Sequence, residues 1–259
     1  MRYLIDSTMF TILYPILLVG TVIWGYLIAQ KRYKNKGRIW TPSGTESPII
    51  GFFALLLSFT FLSTNNIMRD RISIVHKEAD AISNLHRQSL LCSQNYKYLT
   101  KEFLIRYIDQ QISFYEAHAH QESDQIKKQI ELLNGDYLTN ILKIGNSNPD
   151  LKLQLQSLYP HYNNLSSSFY AITYSFAERT PVSVIGLLII ASLLIGMLVG
   201  FMNGFYDGGK HLLVPLIFIV LVTLSIQTIR DMDNPTKGAI KPKIDNLIEL
   251  KMSLLSSTR

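Results

Sequence analysis

The chain has 259 residues and a formal net charge of +6, with 47% of its residues hydrophobic and only 17% charged, where soluble domains carry roughly 25% charge. Stretches 9–30, 47–68, 180–206 and 212–229 contain no Asp, Glu, Lys, Arg or His. Since about 20 apolar residues cross a bilayer at ~1.5 Å each, a soluble globular protein is excluded, and the lone Cys92 excludes an intramolecular disulfide scaffold.

The first block predicts a retained transmembrane helix over about 9–30. Its apolar core is too long for a signal peptide, its basic residues follow it, and no small-residue cleavage site comes after it. Trp24 and Tyr26 suit its interfacial end. Lys31, Arg32, Lys34, Lys36 and Arg38 come next, and the positive-inside rule puts them in the cytoplasm. With four spans in series, both termini and the central segment then lie outside. Basic residues at the opposite face, among them Arg69, Arg71, Arg179 and Arg230, argue the other way.

A turn at Thr41-Pro-Ser-Gly44 leads to a second span over about 48–68. No Gly or Pro interrupts residues 52–91, so one helix is expected to continue far beyond the span. Phe52, Leu56, Phe59 and Ser63 share one face of it, followed by Asn66 and Arg69 or Asp70. Around an axis, several copies of that face would form a hydrophobic neck with a polar mouth, an arrangement that gates by dewetting. The alternative is that the same side chains pack on other helices or lipid.

Residues 65–179 hold twelve Lys/Arg and twelve Asp/Glu, the composition of a water-facing domain, placed at about 69–179. Ile72, Val75, Ala79, Ile82, Leu85 and Ser89 keep a helical period, as do Tyr96, Leu99, Phe103, Tyr107 and Phe114. A third helix is expected over about 123–144, ending at Gly145-Asn-Ser-Asn-Pro149, and a fourth over about 150–177. His118 and His120 would point about 200° apart on a helix. They therefore read as a solvated face, and no metal or cofactor is expected.

Two further spans are predicted at about 181–203 and 212–229, joined by a short turn into an antiparallel hairpin. Gly196, Gly200 and Gly204 lie four apart, a pattern that lets helices approach closely, either in that hairpin or between copies. Thr223, Ser225, Gln227 and Thr228 are polar groups within the last span, read equally as pore-lining or as bonded to their own helix. A polar tail, 231–259, includes a short helix over about 243–255. The fold class is thus an all-α integral membrane protein, with four transmembrane helices arranged 2+2 around a soluble helical domain.

No phosphate-binding loop, nucleophile elbow, zinc-protease motif or paired-Cys motif occurs, and an enzyme is not expected. The positive excess sits beside the spans, so anionic lipid headgroups rather than nucleic acid are the expected partner.

The stretch Gly51-Phe-Phe-Ala-Leu-Leu-Leu-Ser-Phe-Thr-Phe61, then Arg71, Glu78-Ala-Asp-Ala-Ile82, Leu85 and Arg87, resembles the bacterial bestrophin-like family of membrane proteins. The likeness extends to two late spans followed by Asp231-Met-Asp-Asn-Pro235-Thr-Lys-Gly238. The resemblance implies a homo-oligomeric channel for an inorganic ion, with anions suspected, in the bacterial inner membrane. It implies a neck at Phe52, Leu56, Phe59 and Ser63, and a cytoplasmic helical domain, opposite to the charge argument. A non-conducting sensor or scaffold whose helical domain binds a protein partner is the alternative.

Overall fold

The computed structural model describes residues 2–33, 43–117, 120–205, 212–235, 238 and 240–256. Most of the basic linker after Tyr33, the 206–211 turn and His118 lie outside them. Among the described residues all regular structure is helical, and four helices are long and apolar enough to cross a membrane. The chain divides into two compact units, residues 1–66 with 179–234, and residues 67–178 with 235–259.

The first unit begins with a short helix α1 (Arg2–Ile5) and α2 (Thr8–Ile28), which ends in a π-helical turn at Ala29–Tyr33. The Ser7 side chain caps α2 by accepting from the Met9 N–H at 3.2 Å. Helix α3 (Glu46–Leu90) is a single element of 45 residues, of which residues 46–66, nearly half, belong to this unit. Helices α7 (Val182–Asn203) and α8 (Leu213–Asp233) complete the unit.

The main partner of α2 is α7, and glycines make the close approach possible. A methyl at Gly200 would overlap the Val22 carbonyl, one at Gly25 the Met197 carbonyl, and one at Gly196 would come within 2.8 Å of Thr21 Oγ1. Gly204 sits against Ala29 and Tyr26 in the same way. The Gly196/Gly200/Gly204 stripe therefore faces the first span within the chain, rather than α8 or another copy. Removing Cβ atoms lets two backbones meet where lipid supplies no competing hydrophobic force. A hydrogen bond from Tyr14 Oη to Ser192 Oγ, 2.8 Å and buried, fastens the same seam.

The second unit contains the rest of α3 with α4 (Gln94–Glu116), α5 (His120–Gly145), α6 (Pro149–Ala177) and α9 (Asp245–Ser256). The break before α6 follows from its sequence, because Pro149 suits the first turn and the Asn148 side chain accepts from the Asp150 N–H at 2.9 Å. The core is rich in aromatics. Phe103 stacks on Tyr137 with centroids 4.1 Å apart, and Tyr137 shares a 2.8 Å hydrogen bond with Thr100. Helix α9 packs on α4, burying Leu247 and Leu254 and pairing Lys251 with Asp109 at 2.5 Å. Cys92, half-buried against this core, carries a free thiol.

Candidate functional site

In the first unit α3 buries a narrow seam made of Phe53, Thr60 and Thr64. Phe53 enters the apolar core with Tyr14, Leu18, Leu188, Ile195 and Val222. Both threonine hydroxyls donate one turn back, to the carbonyls of Leu56 at 2.8 Å and Thr60 at 2.9 Å. Thr64 has then spent its proton, so in its 3.1 Å contact with Thr180 the Thr180 hydroxyl is the donor.

Consecutive helix residues are rotated by about 100°, so fixing this seam leaves the neighbouring stripe outward. Phe52 and Phe59 are 69% and 61% exposed, and Ser63 and Asn66 are exposed beside them. Leu56 is half-buried against the core, turned partly away from that stripe. Arg69 is exposed, in the part of α3 that belongs to the second unit.

The polar end of α8 is largely occupied within the unit. Ser225 and Thr228 donate to the carbonyls of Leu221 and Leu224 on their own helix. Gln227 reaches the Thr11 carbonyl at 3.2 Å, and Arg230 the Thr11 hydroxyl at 2.5 Å. Thr223 Oγ1 is buried without a partner. At the start of α7, the buried Asp233 accepts from the Thr180 N–H at 2.6 Å, placing a carboxylate where a helix N-terminus favours negative charge. Arg2 donates to the Thr180 carbonyl at 2.7 Å, and Arg179 pairs with Asp6 at 2.7 Å.

Sequence reasoning missed a polar cluster in the second unit. Glu78 is fully buried; its Oε1 accepts from Tyr107 Oη at 2.7 Å and its Oε2 from Tyr115 Oη at 3.1 Å. Gln111 Nε2 donates to Tyr107 Oη at 3.0 Å. Burial pushes the Glu78 carboxyl up to about 7 against the pull of the two phenols. Burial and the adjacent carboxylate hold both tyrosines well above the usual phenol range. The available signal was the position of Glu78 inside the apolar stripe Val75, Ala79, Ile82 and Leu85.

The bestrophin-like domain pattern matches residues 44–241. The chain belongs to the bestrophin-like family. This bestrophin-like chain is also similar in fold to a crystal structure of a bestrophin homologue from Klebsiella pneumoniae carrying a point mutation, with a TM-score of 0.67, 12% identity, and 96% and 99% of the two chains covered. A second variant of that homologue gives a TM-score of 0.63 at 15% identity over 95% and 99%. A further membrane-protein variant gives 0.61 at 16% over 96% and 97%. No curated protein matches the chain.

Within this bestrophin-like chain, several residues that carry the family likeness sit in its interior. Arg71 and Glu78 are buried, as are Ile82 and Leu85. The acidic residue after the last span, Asp233, accepts from the Thr180 N–H just ahead of α7. The Phe-rich segment differs, because its stripe of Phe52 and Phe59 stays open.

Proposed function

We propose that this protein is the subunit of a homo-oligomeric ion channel of bestrophin type in the bacterial plasma membrane, with anions as its cargo. The observation that carries this reading is the open face of α3. Phe52, Phe59, Ser63 and Asn66 point away from the core of their own unit in a chain whose family is bestrophin-like. Copies arranged around an axis would line it with two aromatic rings about 10 Å apart along the helix, then a hydroxyl and an amide, with Leu56 at the flank and Arg69 at the mouth. A constriction of this kind admits ions only when it is wetted. The positive edge of an aromatic ring favours anions over cations, and hydroxyl, amide and guanidinium donors add to that preference.

Purified protein in planar bilayers or iodide-loaded proteoliposomes is expected to pass anions. Phe59→Ala widens the neck and should raise the flux several-fold. Absence of flux from a well-folded oligomer, or an unchanged flux in Phe59→Ala, would overturn the pore assignment. Loss of all conductance together with a stably co-purifying protein would favour the scaffold reading, for which Leu132 and Leu153, 69% and 67% exposed in the second unit, are docking candidates.

A further inference from the structure

We propose that Glu78, Tyr107, Gln111 and Tyr115 form a proton-binding site that tightens the seam between α3 and α4 within the second unit when Glu78 is neutral, and loosens it when Glu78 is ionised.

The geometry begins with α4, where Tyr107, Gln111 and Tyr115 are four residues apart and all buried. They present one polar row to a helix whose facing residues, Val75, Ala79, Ile82 and Leu85, are otherwise apolar. When Glu78 is ionised, its two oxygens take the protons of Tyr107 and Tyr115, and Gln111 gives an N–H to Tyr107. One acceptor is left over, since Gln111 Oε1 is buried with no partner, and a buried orphan of this kind is costly.

One added proton lets the network use that acceptor. The new Glu78 O–H donates to Tyr107 Oη, and the Tyr107 hydroxyl turns to Gln111, whose amide flips to present its oxygen. Tyr115 continues to donate to the second Glu78 oxygen. Every hydroxyl then has an acceptor and the carboxyl carries no charge; the flip exchanges the Gln111 oxygen for its amide N–H groups at the unpartnered position, so removal of the buried charge is what the dry interior favours.

Among the described residues, burial and the two phenols are what act on the Glu78 carboxyl, and the charged groups of the surrounding elements have the following partners or positions. On α3, Arg71 gives Nε and Nη2 to the carbonyls of Ser175 and Glu178, while Asp70, Lys77 and Asp80 are exposed. His76 bonds to Asn246 of α9, and Asp109 of α4 pairs with Lys251 of α9. Glu116 and Lys241 line a cavity of about 420 Å³ together with Tyr115 and Phe176. The affinity of Glu78 for its proton is set by burial first and by the two phenols second.

The sign follows from that affinity. A carboxyl raised to about 7 in the fold and near ~4.3 in an unfolded chain adds stability that is fully present in acid. That stability falls away as pH rises through the interval between the two values.

The test uses the full-length protein in nanodiscs. The wild type should melt several degrees lower at pH ~8 than at pH ~5, and its infrared spectrum should hold a buried neutral-carboxyl band that titrates near neutrality. Glu78→Gln keeps the shape and stays neutral, so its melting temperature should be flat over that interval and the band missing. Tyr115→Phe removes a donor from the ionised form and should raise the midpoint of the band, which keeps the test decisive if Glu78→Gln fails to fold. A wild-type spectrum without such a band, or a Glu78→Gln variant with wild-type pH dependence, overturns the proposal. Any link to conduction rests on the channel reading. A titrating carboxyl in a protein that passes no ions would uphold the site and overturn only the channel.

Discussion

Arg71→Ala is expected to lower the stability of the protein by about 3–5 kcal/mol, measured as a fall in melting temperature or in the denaturant midpoint in a fixed lipid environment. Arg71 is among the largest fully buried side chains of the chain. Its Nε donates to the Ser175 carbonyl at 3.1 Å and its Nη2 to the Glu178 carbonyl at 2.5 Å. Both acceptors lie at the C-terminal end of α6 (Pro149–Ala177), where the last carbonyls lack partners within the helix and carry its partial negative charge. A guanidinium fits this site because one rigid fork reaches two oxygens. Alanine leaves both carbonyls short of a donor at roughly 1–3 kcal/mol each and opens a cavity where the aliphatic stem packed. Arg71→Lys keeps the charge but cannot span both oxygens, so it should recover only part of the loss. Faster hydrogen exchange confined at first to the end of α6 should accompany both variants. A change within about 1 kcal/mol for Arg71→Ala would show that the carbonyls find water or other donors.

The second large effect belongs to Gly200. An added methyl there would meet the carbonyl oxygen of Val22, with the Val22 carbonyl carbon and Cα only 2.7 and 2.9 Å away. These are backbone atoms and cannot rotate aside as a side chain can. Gly200→Ala must therefore separate α2 from α7, at the upper end of the ~1–3 kcal/mol typical of overpacking or beyond it. It should also weaken the nearby Tyr14 to Ser192 hydrogen bond. Gly20→Ala in the same α2 is the control, because nothing lies within 4 Å of its added methyl, and helix propensity there favours alanine by up to ~1 kcal/mol. Thermal melts should rank Gly20→Ala at or above the wild type and Gly200→Ala far below it. Equal tolerance at both positions would mean the seam is looser than its geometry indicates.

The helices were legible because their signals are local. Charge-free blocks mark the spans, the absence of Gly and Pro over 52–91 predicts the unbroken α3, and Asn148-Pro149 marks the start of α6. That Phe52, Phe59, Ser63 and Asn66 share a face also follows from spacing alone. Which face of α3 is buried does not, since it depends on Phe53 finding Leu188 and Val222 far along the chain. The glycine stripe announced a close approach without naming its partner; the complementary clue was Gly25 in the first span, which meets Met197 and Phe201. Glu78 was visible as a carboxylate in an apolar stripe. Its partners Tyr107 and Tyr115 come 29 and 37 residues later, beyond the reach of any helical period.

The glycine seam also bears on how the molecule is made. Helix α2 is synthesised well before the surface it needs, α7 (Val182–Asn203), which emerges more than 150 residues later. Domains generally form in the order of synthesis, at about 5–20 residues per second. The second unit, most of which is contiguous at 67–178, is thus complete or nearly so while α2 still waits in the bilayer with its Val22 and Gly25 side unpaired. For several seconds that face is open to the same face of another nascent chain. Mispairing of first spans is therefore the assembly error this topology invites, and the close fits of Gly25 on Met197 and of Gly200 on Val22 are what favour the correct partner.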